Sequence, residues 1–421
     1  MSQPMDRALR TRAARVIPGG MYGHQAVGGL PEGYPQFFAR AEGPWLWDTD
    51  GNLLLDLMCA YGPQLFGYAH HDIDRAYSEQ MAIGDAMTGP SPLIVDLAET
   101  MVAMVGHAEW AMFCKNGSDA TTMALMVARA HTGRNAIVRA AGAYHGSSPW
   151  SNPRPRGIAP SDQAGQHICT YNDVESLEAA VKAASADLAA IFASPFRHDV
   201  FVDQASPSAA YAKRARELAD ETGALLIVDE VRAGFRIARD CSWSLLGVAP
   251  DLSCWGKAIA NGHPISALMG SEKARGAAEK IYATGSYWFA AAAMAASLAT
   301  LKLIRESDYL EQITAMGESL RSGLDDRASA HGFTLRQTGP AQMPLILFDE
   351  DPDMRIGYAW SASMVRRGVY MHPWHNMFIS AAMTDANIAF ALDAAGQSFA
   401  ELAKTAPKLG PNTRYPGPRR A

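Results

Sequence analysis

Between about residues 105 and 270, short apolar runs alternate with amphipathic segments, and this pattern restricts the fold more than any other feature of the chain. Ala111-Met-Phe-Cys114, Ala136 to Arg139, Leu188 to Ala193 and Ala224 to Val228 read as strands. The pattern through Met123, Val127 and Ala130 and the segments 174–184 and 210–222 read as helices. A run such as Leu225-Leu-Ile-Val228 is apolar on both faces, as suits a strand covered by helices on each side. The alternation predicts an α/β fold with a mostly parallel, doubly wound sheet whose ligands gather outside the carboxyl ends of the strands.

The flanks read differently. Trp45-Leu-Trp-Asp-Thr-Asp-Gly-Asn-Leu-Leu-Leu-Asp56 predicts a hairpin with Asp50-Gly51 at its turn, and Pro344 to Phe348 is a short strand among helical patterns. Residues 1–60 and 301–403 therefore predict a smaller α+β domain made from both chain ends, around a large domain of 61–300. A solvated Pro- and Arg-containing tail occupies 404–421. The length of 421 residues, past the roughly 250–300 at which one core stops growing, agrees with more than one unit. A net charge of −6 argues against a nucleic-acid binder. The Ala-rich stretch from Tyr287 to Ile304 carries Lys302 and is too short for a membrane span, and no apolar run near the start predicts a secretory signal. The five cysteines, at 59, 114, 169, 241 and 254, form no C-x-x-C pair, which predicts reduced thiols and a cytoplasmic protein.

Four elements at predicted strand ends carry chemistry. Ala224-Leu-Leu-Ile-Val228 runs into Asp229-Glu230, and a carboxylate at a buried strand tip costs several kcal/mol unless something pairs with it. Lys257 follows another apolar strand and Gly256, in a setting that would lower its pKa and free the amine for attack. Asn116, Gly117 and Ser118 open a helix after the 111–114 strand, where amides and the macrodipole bind phosphate. Gly142-Ala-Tyr144-His145-Gly146 brings an aromatic ring and an imidazole to the same sheet edge. Taken singly, each has an ordinary structural explanation: a salt bridge, a snorkelling lysine, an N-cap, a packed tyrosine. In order on one sheet they are the parts needed to hold pyridoxal 5′-phosphate (PLP). No His-x-x-x-His or equivalent spacing supports a metal.

From Val16 to about Ala400 the sequence resembles the class III aminotransferases of PLP fold type I. The motifs that carry this are Trp45-Leu-Trp-Asp-Thr-Asp-Gly51, Asn116-Gly-Ser-Asp-Ala120, Gly142-Ala-Tyr-His-Gly146, Val228-Asp-Glu-Val-Arg-Ala-Gly-Phe-Arg236 and Pro250-Asp-Leu-Ser-Cys-Trp-Gly-Lys257. The resemblance implies Lys257 as the covalent lysine and Asp229 as the partner of the pyridinium nitrogen. It places Val231 and Tyr144 on the two ring faces, His145 in the cofactor site, and Gly117 and Ser118 at the phosphate. Gly285 and Ser286, standing for a Gly-Thr pair, would complete that phosphate site from the partner subunit of a homodimer with shared active sites.

Val16-Ile-Pro-Gly-Gly20 is similar to the glutamate-1-semialdehyde aminomutase branch. Ala111 to Thr121, Arg239-Asp-Cys-Ser-Trp243 and Gln337 to Pro344 resemble more closely the aminotransferases of hydrolysed fumonisin, a long-chain aminopolyol. Gly23 and Ala26 stand where the aminomutases grip a carboxylate with Ser and Arg, and Ser194 and His375 fall where the family has glutamates. These departures imply a bulky or long-chain amine donor and an α-keto acid acceptor such as pyruvate, with an aminomutase or amino-acid racemase as the alternative. The resemblance implies Tyr22, Tyr61, Phe196, Trp288 and Phe289 as pocket residues, with His24, His372 and His375 as hydroxyl partners. Arg197, Arg232 and Arg366 are the candidates for the keto-acid carboxylate.

Overall fold

A computed structural model describes residues 3–154, 156–199 and 201–414. They divide into two compact units: one holds the chain through His70, residues 201–203 and the chain from Glu311, and the other holds 71–199 and 204–310. The divisions thus fall after His70 and Leu310 rather than after residues 60 and 300, and the short 201–203 insertion was not foreseen.

The second unit contains a seven-stranded sheet. Its spatial order is Trp110–Cys114, Ser266–Gly270, Leu252–Trp255, Leu225–Asp229, Leu188–Ala193, Ala136–Ala140 and Gln166–Cys169. The last five run parallel to one another, and Ser266–Gly270 runs against both of its neighbours. The expected mostly parallel sheet is present, with one reversed strand that the sequence pattern did not reveal. Leu225, Ile227, Phe192 and Ile137 pack with Met123, Val127 and Trp150 in one buried cluster, so the strands apolar on both faces are covered as their composition requires.

Helix starts and stops follow local chemistry. The Asp173 carboxylate accepts the Ser176 amide at 3.0 Å to open Val174–Ala184. Ser208 Oγ accepts the Tyr211 amide at 3.1 Å to open Ala209–Thr222, which Gly223 ends in a left-handed conformation. The long Ala-rich stretch forms the helix Ala291–Glu306, which packs against His71–Ile83. No helix among the described residues is long and apolar enough to cross a membrane.

In the first unit, Phe38–Glu42, Trp45–Asp48 and Leu53–Asp56 form an antiparallel meander joined by the parallel strand Val369–Tyr370. The hairpin expected at Asp50-Gly51 is there: Asp48 Oδ1 accepts the amides of Asp50 at 3.0 Å and Asn52 at 2.8 Å, while Gly51 takes a φ of +81°. Leu335–Thr338 and Leu345–Phe348 form a second, two-stranded sheet. The predicted solvated tail is docked up to residue 414, where the Arg414 guanidinium donates to the Leu30 carbonyl at 3.0 Å; residues 415–421 lie outside the described residues.

Candidate active site

Asp229 ends the Leu225–Asp229 strand and pairs in register with Cys254 of the adjacent Leu252–Trp255 strand, so Lys257 stands two residues beyond that strand's tip. Lys257 opens a tight turn, Lys257–Ala260, with a φ of +49°, a conformation that side chains other than glycine's rarely adopt. Burial pulls its amine down to about 7, the charge of Arg232 and that of Arg236 push the same way, and Asp229 opposes them. A large fraction of the amine is therefore neutral and nucleophilic near neutral pH.

Asp229 is 4% exposed. Its Oδ2 lies 2.8 Å from His145 Nδ1, and its Oδ1 accepts the Val231 amide at 3.1 Å. His145 is itself buried, stacked near Trp150 and tilted against Phe192 with ring centroids 4.6 Å apart. It stands on the carboxylate of Asp229 and locks its orientation. The neighbouring Glu230 faces elsewhere. The Ser242 amide (2.7 Å), the Ser242 hydroxyl and the Cys241 thiol (3.3 Å) all donate to its Oε1, while burial pushes its pKa up to about 7.

The helix Gly117–Thr132 begins beside this pair. The Asn116 amide donates to Asp119 Oδ2 at 2.9 Å and its side chain leans on the same oxygen at 3.4 Å, so Asn116 shapes the helix start rather than offering its amide group to a ligand. Gly117 packs so closely that a Cβ there would meet Val231 Cγ1 at 2.6 Å. Ser118 Oγ accepts the Ser147 amide at 3.0 Å, and a Cβ on Gly146, at φ +115°, would strike that oxygen at 2.5 Å. Lys257, Asp229, His145, Val231, Gly117 and Ser118 are thus brought together on one sheet edge. Ser147 and the charge of Arg236 belong to the same arrangement and escaped the sequence reading. Ser147 follows the recognised Gly-Ala-Tyr-His-Gly stretch directly, which was the available signal.

Other expected residues sort differently. Tyr144 is partly exposed next to His145. Gly285 and Ser286 lie in a surface turn closed by the Trp288 amide on the Gly285 carbonyl at 3.0 Å. Trp288 folds back over Gly285 against the sheet's core, while Phe289 keeps an exposed face. Phe196 is 1% exposed, edge-on to His198, and enclosed on all sides, so it is not a pocket wall. Arg197 is pinned through its backbone to Ala205, and Arg232 donates to the His198 carbonyl at 3.2 Å. In the first unit the Arg366 guanidinium donates to Glu401 at 2.6 Å. Tyr22 there is 72% exposed. Tyr61 gathers His24, His372 and His375 around its ring, with centroid separations of 4.7, 6.3 and 5.3 Å.

A strand-end lysine with a lowered pKa, an adjacent buried carboxylate and a helix amino terminus on a mostly parallel sheet are the parts of a PLP fold type I enzyme. The Aminotransferase class-III family model matches residues 31–393, and the chain belongs to this family of PLP-dependent aminotransferases. It is 56% identical over 407 residues to the aminopentol aminotransferase of Sphingopyxis macrogoltabida, spanning 97% of this chain and 96% of that one. The solved structure of the Sphingopyxis sp. MTA144 FumI protein in its PLP internal aldimine form superposes with a TM-score of 0.96 at 56% identity, over 96% of this chain and 98% of that chain. The glutamate-1-semialdehyde 2,1-aminomutase of Roseiflexus castenholzii is 31% identical, over 96% of this chain and 99% of that protein.

Proposed function

We propose that the protein transfers the amino group of a long-chain, hydroxylated amine of the aminopentol type to an α-keto acid such as pyruvate. The observation that carries the chemistry is Lys257, its amine pulled down to about 7, one strand away from a carboxylate fixed by His145. The likeness to aminopentol aminotransferase over nearly the whole chain supports the substrate class.

When bound, PLP supplies an aromatic ring that takes up electron density as a proton leaves the substrate carbon. Lys257 would hold the cofactor's aldehyde carbon and, once displaced by the incoming amine, take the proton from the substrate Cα on its Nζ. Asp229 would hold a proton at the ring nitrogen. The His145 contact at 2.8 Å keeps its carboxylate aimed, and the Val231 amide satisfies its other oxygen. The free amides of Gly117 and Ser118 would bind the phosphate. Val231, in contact range of Gly117, would pack one face of the ring and Tyr144 the other. Arg232, whose charge is felt at Lys257, is the candidate for the keto-acid carboxylate.

Gly285 and Ser286 would complete the phosphate site of a second copy. Ile83, Met87, Tyr282 and Tyr287 leave apolar surface exposed on the same unit, and the Ala292 amide on Asp85 Oδ1 (2.8 Å) ties the 85 and 291 segments together. Such a surface is suited to a homodimer contact. The five cysteines are buried and not joined in disulfides, which supports a cytoplasmic setting.

The aminomutase relative supports the alternative in which the amino group stays on the substrate. Incubation with aminopentol and pyruvate separates the two: one alanine should form per amine consumed. A holoenzyme that ignores aminopentol but converts glutamate 1-semialdehyde without making alanine would overturn the proposal.

A further inference from the structure

Two loops leave adjacent parallel strands on the sheet edge that carries Asp229. Ala136–Ala140 pairs with Leu188–Ala193, so residues 142–146 and 194–199 emerge as neighbours. The first loop carries Tyr144, which is 37% exposed. A ring so exposed is fixed less by packing than by the backbone that carries it. The far end of this loop is tied to the helix Gly117–Thr132: Thr121 Oγ1 donates to the His145 carbonyl at 2.7 Å, and the Ser147 amide donates to Ser118 Oγ at 3.0 Å. The near end meets the second loop. A Cβ on Gly142, at φ +70°, would strike the Asp199 carboxylate, and the ring of His198 reaches the Tyr144 carbonyl.

His198 is 4% exposed and edge-on to Phe196, and its Nδ1 lies 3.2 Å from the Phe196 carbonyl. Its own carbonyl accepts the Arg232 guanidinium at 3.2 Å, and the Arg197 amide on the Ala205 carbonyl at 2.7 Å fixes the chain just before it. Burial pushes the imidazole well below its ordinary pKa, and the neighbouring Arg232 and His145 push the same way. The ring is therefore neutral, a donor that adds no cation to those of Arg232 and Arg236. In that state it has a single N–H, which can serve the Phe196 carbonyl two residues back or cross to the Tyr144 carbonyl in the other loop.

We infer that His198 gives this N–H to the Tyr144 carbonyl and is thereby a positioning residue: it holds Tyr144 against the cofactor while its own carbonyl holds Arg232. The inference rests on the reading above that Tyr144 packs one face of PLP. Holoenzyme is dialysed to equilibrium and its PLP dissociation constant measured. His198→Phe keeps a buried ring without the donor, and should weaken PLP binding about tenfold, as expected where a buried carbonyl loses its partner. His198→Leu carries the same expectation should the larger ring not fold. His198→Gln supplies an N–H again and should return the affinity to within about threefold of wild type. Tyr144→Ala already lacks the positioned ring, so His198→Phe added to it should cost less than about threefold more. Unchanged affinity in His198→Phe and His198→Leu, no recovery in His198→Gln, or a full further loss on top of Tyr144→Ala overturns the inference. Tyr144→Ala that binds PLP as the wild type does refutes the placement of Tyr144 and this inference with it. That failure shows with His198 intact, the others only when it is changed.

Discussion

Replacing Lys257 with methionine should stabilise the cofactor-free protein, by an amount that depends on pH. A lysine in an unfolded chain titrates near 10.5, whereas burial and the charges of Arg232 and Arg236 bring Lys257 to about 7. Between those values the unfolded chain binds a proton that the folded chain declines. Stability therefore falls as pH drops from 10.5 and levels off below 7, where both states carry the charge. Three and a half pKa steps at about 1.36 kcal/mol each, less the half-titrated last step, give about 4 kcal/mol at pH 7. This is an upper bound, because part of the side chain meets solvent. Methionine keeps a flexible chain of similar length without the charge. Urea denaturation of both cofactor-free proteins at pH 7, 8.5 and 10 measures the difference. The variant should gain most at pH 7 and only about 1 kcal/mol at pH 10. A gain that does not change with pH would refute the assignment of a desolvated, charge-repelled amine.

Three further outcomes follow from the same geometry. Asp229→Asn keeps the shape but cannot carry the charge, and breaking a buried charge pair costs about 3–5 kcal/mol. Stopped-flow bleaching by aminopentol should slow by roughly two to four orders of magnitude, and a rate within tenfold of wild type would count against the role of Asp229. Gly117→Ala places a methyl 2.6 Å from Val231 Cγ1, so equilibrium dialysis should show PLP affinity falling about ten- to a hundredfold, with Val231→Ala restoring part of it. Unaltered affinity would mean that Gly117 does not shape the phosphate cradle. Ile83→Asp puts a charge on a side chain now 80% exposed, and light scattering should find monomers without transaminase activity. A stable, active dimer would remove this surface from the proposed interface.

The sheet was legible because strands covered on both sides must be apolar throughout, as Leu188–Ala193 and Leu225–Asp229 are. Ser266–Gly270 was not, since Ser-Ala-Leu-Met-Gly is short and weak in β-branched residues and takes its place by pairing on both edges. Lys257 and Asp229 could be picked out because a charge at the end of an apolar strand is anomalous wherever it occurs. His145 could be located but not assigned its partner, because the 2.8 Å contact spans 84 residues of sequence. Phe196 is a pocket residue by resemblance, but it is 1% exposed, and burial depends on tertiary packing that the sequence does not display. The left-handed backbones of Cys59, Ala60 and Tyr61 left no trace in composition, since none of these residues is glycine, asparagine or aspartate.

One stretch of eight residues, Asp229 to Arg236, sets the chemistry from both sides. Asp229 is the last residue of its strand and Glu230 the first of the turn that follows, and the two side chains diverge although they are adjacent. Asp229 takes an imidazole and stays available to a ligand, whereas Glu230 turns to Ser242 and Cys241 and anchors the loop that follows. The intervening turn is fixed by the Gly234 amide on the Glu230 carbonyl at 2.7 Å, and a Cβ on Gly234 would strike Trp255 at 2.7 Å. Its position leaves Val231 against Gly117 and brings the positive charges of Arg232 and fully buried Arg236 to bear on Lys257. Those two cations act in one direction and Asp229 in the other. The lysine can therefore remain substantially neutral close to a carboxylate, which alone would raise its pKa. Moving either arginine would alter the nucleophile without touching it, so the acid, the packing valine and the poise of the amine are inherited together from the way this one strand ends.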